Sequence, residues 1–266
     1  MSRGAALVTG ASGGIGLGLA RVLAREGYDV ALVARSAERL GDHARSFERD
    51  YGVRAVPIAL DLATAEAPQR VVRALAEHEL AIDVLVNNAG FATFGLFRDT
   101  PLDAELEELQ LNVVTLTALT KLLLPPMLAK RAGRILNVAS TAAFLPGPYM
   151  AVYFATKAYV LSFSEALAEE LRASGVTVTC LCPGATASGF QARADMADSG
   201  LVAGRRLPDA ASVAAYGIAA MHRGKILAIP GLENKALPWL ARLLPRRLAP
   251  RIVAKLQAPR ARRPAP

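Results

Sequence analysis

Tyr153 and Lys157 stand four residues apart in a stretch with helical periodicity, Tyr153-Phe154-Ala155-Thr156-Lys157. That spacing stacks both side chains on one helix face. A phenol with a pKa near ~10 is a poor acid or base at neutral pH, and a neighbouring ammonium favours its ionised form. Such a pair is suited to moving a proton to or from an oxygen. By itself it is also an ordinary surface pair, so its meaning depends on its neighbours in space. Ser140 closes the apolar run Leu136-Asn137-Val138-Ala139, thirteen residues earlier. Asn87-Asn88-Ala89-Gly90 and Pro183-Gly184 close two other such runs.

A second chemistry is written near the start. Thr9-Gly10-Ala11-Ser12-Gly13-Gly14-Ile15-Gly16 follows the first apolar run and opens a helix-length segment. Glycines there let the backbone approach a pyrophosphate, and a helix N-terminus offers free N–H groups to it. Gly10, Ser12, Gly14, Ile15 and Gly16 are therefore candidate dinucleotide contacts. The second run ends Val33-Ala34-Arg35-Ser36, with no acid where an NAD site would bind a ribose hydroxyl. Arg35 can hold a 2′-phosphate bidentately, helped by Ser12 or Ser36, and this favours NADP(H) over NAD(H). The alternative is that Arg35 is a solvated neighbour of a helix cap. Asp61, beside Leu62, either accepts from an adenine amino group or caps a helix.

These residues need strands to carry them. Apolar runs at 5–9, 30–34, 55–59, 84–87, 134–138, 176–182 and 226–229 read as strands buried on both faces. Helical patterns lie near 15–26, 36–51, 65–79, 103–129, 152–174 and 209–222. This alternation specifies an α/β fold with a doubly wound parallel sheet and helices on both faces. Active groups in such sheets gather at the carboxyl ends of the strands, where all the motifs above fall.

The motifs, in this order and spacing, resemble the short-chain dehydrogenase/reductase family over roughly residues 5–230. The chain also looks like a subgroup that includes fatty-acyl and steroid ketone reductases. The resemblance implies a Rossmann-like, seven-stranded sheet in the order 3-2-1-4-5-6-7. It implies an oxidoreductase that moves a hydride between nicotinamide and a carbonyl or alcohol carbon. Tyr153 would be the acid/base and Ser140 would hydrogen-bond the substrate oxygen. Lys157 would lower the Tyr153 pKa and bind the nicotinamide ribose, and Asn112 would hold a water in the proton relay. Asn88, Ala89 and Gly90 would line the cofactor site, and Pro183, Gly184, Thr186 and Ser188 would hold the carboxamide end. Gly13 departs from the pattern, since many NADP users carry a basic residue there. The contrasting reading is a non-catalytic dinucleotide-binding or membrane-surface adaptor protein.

The loops 91–98 and 141–150 are aromatic and apolar, which suits an apolar carbonyl or alcohol substrate, although ordinary loop packing would look the same. Phe91, Phe144 and Tyr149 are candidate substrate contacts beside Ser140 and Tyr153. Residues 185–208 are poorly periodic and read as a lid. The chain divides into a catalytic domain over 1–232 and a basic extension over 233–266, whose last residues read as disordered.

Of 31 Lys and Arg, eight lie in residues 242–266 with no acid among them, and the other 23 match the 23 Asp and Glu. The excess charge thus sits in the tail, and a nucleic-acid-binding body is not expected. The tail reads as an amphipathic helix over 236–257 packed on the body. Alternatively it is an interfacial helix with Trp239, Leu240, Leu243, Leu244 and Leu248 among lipid headgroups, giving peripheral membrane contact. Apolar outer faces near 103–129 and 152–174, in the light of the resemblance, imply a homodimer, with a tetramer as the alternative.

Cys180 and Cys182 point the same way on a strand, a poor disulfide geometry, so a cytoplasmic location fits. His43, His78 and His222 show no metal-ligand spacing, and no metal is expected. The N-terminus does not read as a signal peptide. No uninterrupted apolar stretch reaches about 18 residues, so no transmembrane helix is expected.

Overall fold

The computed structural model describes residues 3–190 and 207–258. Strands β1 (Ala5–Thr9), β2 (Asp29–Ala34), β3 (Ala55–Ala59), β4 (Ile82–Asn87), β5 (Gly133–Val138), β6 (Val176–Leu181) and β7 (Leu227–Ala228) form one parallel sheet. Their order is β3-β2-β1-β4-β5-β6-β7, as the resemblance implies.

Period-two alternation sends each strand's side chains to two cores. From β1, Ala6 and Val8 pack with Leu19 and Leu23 of α1 (Gly14–Arg25), Leu40 and Phe47 of α2 (Ala37–Tyr51), and Ile218 of a later helix. From the same strand, Ala5 and Leu7 face the other side. There they meet Val71 and Leu75 of α3 (Ala67–Glu77) and Leu119, Leu123 and Met127 of a long central helix.

That central element differs from the single helix expected over 103–129. It runs as α4 (Leu102–Leu109), a π-helical turn (Gln110–Thr115) and α5 (Leu116–Lys130). By length and composition Leu102–Lys130 would suffice to cross a membrane, but it lies along the sheet and its inner face is core. α6 (Ala151–Glu170) stops short of residue 174, and α7 (Ala210–His222) completes the helices expected from the pattern. Asp209 caps α7 by accepting from the amides of Ala211 and Ser212.

The tail is not one helix. It forms a single turn, α8 (Leu232–Lys235), then α9 (Leu237–Leu243) and α10 (Ala249–Gln257). Pro245 makes the break, because the residue before a proline is pushed out of the helical region; Leu244 has ψ 125°. α10 packs into the body, with Ala249, Val253 and Gln257 buried.

Candidate active site

The carboxyl ends of β1, β2, β4, β5 and β6 open onto one cavity of about 1020 Å³. Its floor at one end is the β1–α1 loop. Gly10 and Gly14 have φ of +67° and +56°, which favour glycine. A Cβ on Gly10 would lie 2.8 Å from the Asn88 amide nitrogen, and one on Gly14 would lie 3.1 Å from the Ser188 Cβ. No side chain caps α1, which leaves its first N–H groups available, and Gly13 to Gly16 line the cavity there. The loop is fastened from below: the Asn88 Nδ2 donates to the Thr9 carbonyl at 2.9 Å, and the Thr9 hydroxyl accepts from the Asn88 and Ala89 amides. This bare, rigid cradle fits a dinucleotide pyrophosphate.

Arg35, Ser36, Asp61 and Leu62 also line the cavity, together with Arg39, which the sequence reading did not single out. Arg39 lies one helical turn beyond Arg35, so the i,i+4 spacing was the available signal. Neither guanidinium is ion-paired among the described residues. The Ser36 Oγ accepts from the Arg39 amide as the cap of α2. Asp61 accepts from the Ala63 amide at 3.0 Å, which is the local turn bond among its two readings.

Ser140, Tyr153 and Lys157 meet at the middle of the cavity. Ser140 ends the β5 segment; its Oγ accepts from the Ala142 amide and donates to the Pro183 carbonyl at 3.4 Å. Lys157 is buried, and its Nζ donates to the Val138 carbonyl at 2.9 Å. Burial pushes the Lys157 ammonium down to about 8. Burial also pushes the Tyr153 phenol up, against the pull of the Ser140 hydroxyl. The expected lowering of Tyr153 by Lys157 is thus not what the geometry shows: burial outweighs it, and the Lys157 Nζ lies 5.6 Å from the centre of the Tyr153 ring while donating to Val138.

Asn112 sits in the π-helical turn, a device frequent at functional sites. Its Nδ2 donates to the Phe91 carbonyl and to the Thr156 hydroxyl, and its Oδ1 accepts from the Phe91 amide. Gly90 keeps a space beside it: a Cβ there would lie 2.9 Å from the Asn112 Oδ1 and 3.5 Å from the Lys157 Nζ. One turn before Asn112 lies Glu108, fully buried, which the sequence reading missed. One of its oxygens accepts from the Thr93 amide at 2.8 Å, and the other has no hydrogen-bond partner among the described residues. Burial pushes Glu108 up to about 7, against the Thr93 bond, with Glu105 raising it further and Lys157 lowering it. Its position four before Asn112 was the legible signal.

Pro183, Gly184, Thr186 and Ser188 line the far side of the cavity. The Thr186 hydroxyl donates to the Gly184 carbonyl. Most of the expected lid, residues 191–206, lies outside the described residues. Its flanks are joined by the Ala187 amide donating to the Pro208 carbonyl at 2.8 Å.

The apolar wall differs from the expectation. Phe91 is turned into the core with Leu111 and Leu119. Phe144 packs on Leu116, Val160 and Ile229. Tyr149, at φ 70°, stacks on Phe94 with centroids 6.0 Å apart. None of the three lines the cavity. The wall is made instead by Leu145, Met150, Phe154, Phe190, Leu237, Val253 and Leu256. Loop composition revealed that an apolar wall exists, but not which ring turns inward.

A glycine-lined dinucleotide cradle, with Ser140, Tyr153 and Lys157 lining the same cavity, defines a Rossmann-type NAD(P)-binding protein. The chain belongs to the short chain dehydrogenase family, whose sequence model matches residues 4–198. It is similar to a very-long-chain 3-oxoacyl-CoA reductase of Anas platyrhynchos, 38% identical over 182 residues, covering 67% of this chain and 58% of that protein. A second such reductase, from Danio rerio, is 35% identical over 185 residues, covering 67% and 56%. The chain thus spans less than two thirds of the length of these curated relatives. Among solved structures, a short-chain dehydrogenase from Sphingobium yanoikuyae in complex with NADPH superposes with a TM-score of 0.81 at 31% identity, covering 90% of this chain and 92% of that one. L-Sorbose reductase from Gluconobacter frateurii, complexed with NADPH and L-sorbose, gives 0.74 at 27%, covering 86% and 95%.

Proposed function

We propose that the protein is an NADP(H)-dependent carbonyl reductase or alcohol dehydrogenase acting on an apolar substrate, with 3-oxoacyl thioesters the first class to try. The observation that carries this is the position of Ser140, Tyr153 and Lys157 where the polar and apolar halves of one cavity meet. A bound nicotinamide supplies the hydride. The Tyr153 hydroxyl gives its proton to the forming alkoxide, or takes one in the reverse direction. The Ser140 hydroxyl donates to the same oxygen. Lys157, held by Val138, places a positive charge beneath the phenol and faces the ribose. The gap bounded by the Asn112 Oδ1 and the Lys157 Nζ supports a relay water there. Arg35 and Arg39, which line the cavity with Ala34 and have no ion-pair partner among the described residues, support the 2′-phosphate of NADP(H). The 3-oxoacyl-CoA named for the curated relatives and the NADPH in the two solved structures support this reading.

The proposal extends to assembly and place. Leu106, Leu109, Val114, Leu122 and Tyr159 are exposed on the outer faces of α4 to α6, and they support a homodimer through those helices. Cys180 and Cys182 are both free, with their sulfurs 3.7 Å apart, which supports a reducing, cytoplasmic setting.

NADPH oxidation across a panel of 3-oxoacyl, steroid, sugar and aromatic carbonyls tests the reading. Turnover is expected with the apolar members. NADPH binding with no turnover on any member would sink it in favour of a binding protein.

A further inference from the structure

The C-terminal segment has two unlike sides. Its inner side is part of the site: Val253 shares a buried cluster with Tyr153 and Phe154, and Leu237, Val253 and Leu256 line the cavity. On its outer side Trp239 is 69% exposed and Leu243 is 82% exposed. These two stand at i,i+4 on α9 and share a face. Single exposed leucines are ordinary, but a cluster of this kind marks a contact surface.

The charge on that surface has one sign. Arg242, Arg246, Arg247, Arg251 and Lys255 are exposed, and none is ion-paired among the described residues. Glu233 is the only acid between residues 232 and 258. The rest of the chain is balanced, so this is a local field. Such a surface would repel its own copy across a two-fold axis, because like charges would meet. Protruding Trp and Leu between arginines match a layer that is apolar below and anionic above.

Leu256 joins the two sides. It lines the cavity and is 50% exposed, at the rim beside the cationic patch. An aliphatic chain leaving a bilayer there would pass from lipid to the apolar wall with little exposure to water.

We propose that the α8–α10 surface seats the enzyme on an anionic phospholipid bilayer, and that an aliphatic substrate enters the cavity from the acyl-chain layer past Leu256. The entry route rests on the function proposed above; the docking does not.

The test uses the full chain with NADPH and vesicles of phosphatidylcholine, with or without phosphatidylserine. Trp239 is the only tryptophan in the chain, so tryptophan emission reports the insertion of α9 alone. Binding to the phosphatidylserine vesicles is expected, with a blue shift that salt reverses. The double variant Arg246→Glu/Arg247→Glu should partition at least about tenfold less, and Leu243→Ser should bind with a smaller shift. Neither variant touches the cavity, so the rate on a small water-soluble ketone should stay unchanged. The kcat/KM for a long-chain ketone carried in vesicles should fall with partitioning.

Unshifted Trp239 emission on anionic vesicles would overturn the docking, as would equal partitioning of the double variant. A fall in solution mass on Leu243→Ser would reassign the face to a second copy and also overturn it. Partitioning lost with no change on the vesicle-borne ketone would overturn the entry route. Docking intact with no ketone reduced would count against the proposed reaction and still uphold the docking.

Discussion

The Lys157 Nζ lies 5.6 Å from the centre of the Tyr153 ring, while it donates to the Val138 carbonyl. The two side chains share a helix face without touching at their polar tips. In the proposed reaction Tyr153 would carry the proton and Lys157 would supply charge and hold the ribose, so their losses should look different. Tyr153→Phe should lower turnover by at least about 100-fold with NADPH affinity retained, since positioned acid/base catalysis gives about 10²–10⁴-fold. Lys157→Met should lower turnover and also weaken NADPH binding. Single-turnover rates and fluorescence titration of NADPH separate the two. Near-normal turnover of Tyr153→Phe would remove the role given to it.

The proposed preference for NADP(H) rests on two cations and a missing acid. Arg35→Ala with Arg39→Ala should weaken NADPH binding by about 10–100-fold, the worth of one or two charge-assisted hydrogen bonds. NADH binding should change little. The ratio of the two dissociation constants is the measurement, and an unchanged ratio would place the 2′-phosphate elsewhere.

Most of this frame was legible because it follows from local rules. Strand positions came from apolar runs, and the sheet order came from the family resemblance carried by glycines, Ser140, Tyr153 and Lys157. The features that escaped depend on contacts distant in sequence. Val253 joins the cluster that holds Tyr153 across a hundred residues, and no pattern within the tail announces it. Phe91, Phe144 and Tyr149 have the composition of a pocket wall, yet backbone direction turns each away. Pro245, by contrast, was readable as a helix break, and the single helix expected over 236–257 overlooked it.

Glu108 links the site to pH. Its folded-state pKa, about 7, lies above the ordinary carboxyl value of 4.5. The folded protein therefore holds this proton where the unfolded chain has released it. The resulting stability is full below about pH 4.5 and is lost as pH rises through about 7. The loss is of order 3 kcal/mol for this one group. Glu108→Gln should flatten the decline between pH 5 and 8 in urea-unfolding midpoints. An equally steep decline in that variant would assign the effect to another group.

The outer faces of α4 to α6 should hold two copies together. Leu122 is exposed on α5, and Tyr159 on α6 shares a 2.8 Å hydroxyl contact with Thr117. Leu122→Glu would place a charge in an apolar contact, which association tolerates poorly. Sedimentation velocity should show a dimer for the native chain and a monomer for the variant. A native monomer would end the dimer proposal.

The last test concerns the shape of the apolar wall. A Cβ on Gly147 would overlap the Phe154 ring. Phe154 is buried, stands edge-on to Tyr153 at 6.2 Å and 76°, and lines the cavity, so the cavity is the open space toward which the ring can move. The Gly147 backbone does not require glycine, since its φ is not positive. Any effect of Gly147→Ala is therefore steric and passes through Phe154. Overpacking of this kind costs about 1–3 kcal/mol. The displaced ring should narrow the cavity beside Tyr153, lowering kcat/KM for a bulky ketone more than for a small one. Gly41→Ala on α2 is the matched control: its φ is not positive, it does not line the cavity, and the nearest atom to its added methyl is the Arg45 guanidinium, 3.4 Å away. Gly147→Ala with unchanged stability and unchanged discrimination between ketones would show that Phe154 is not held as a wall.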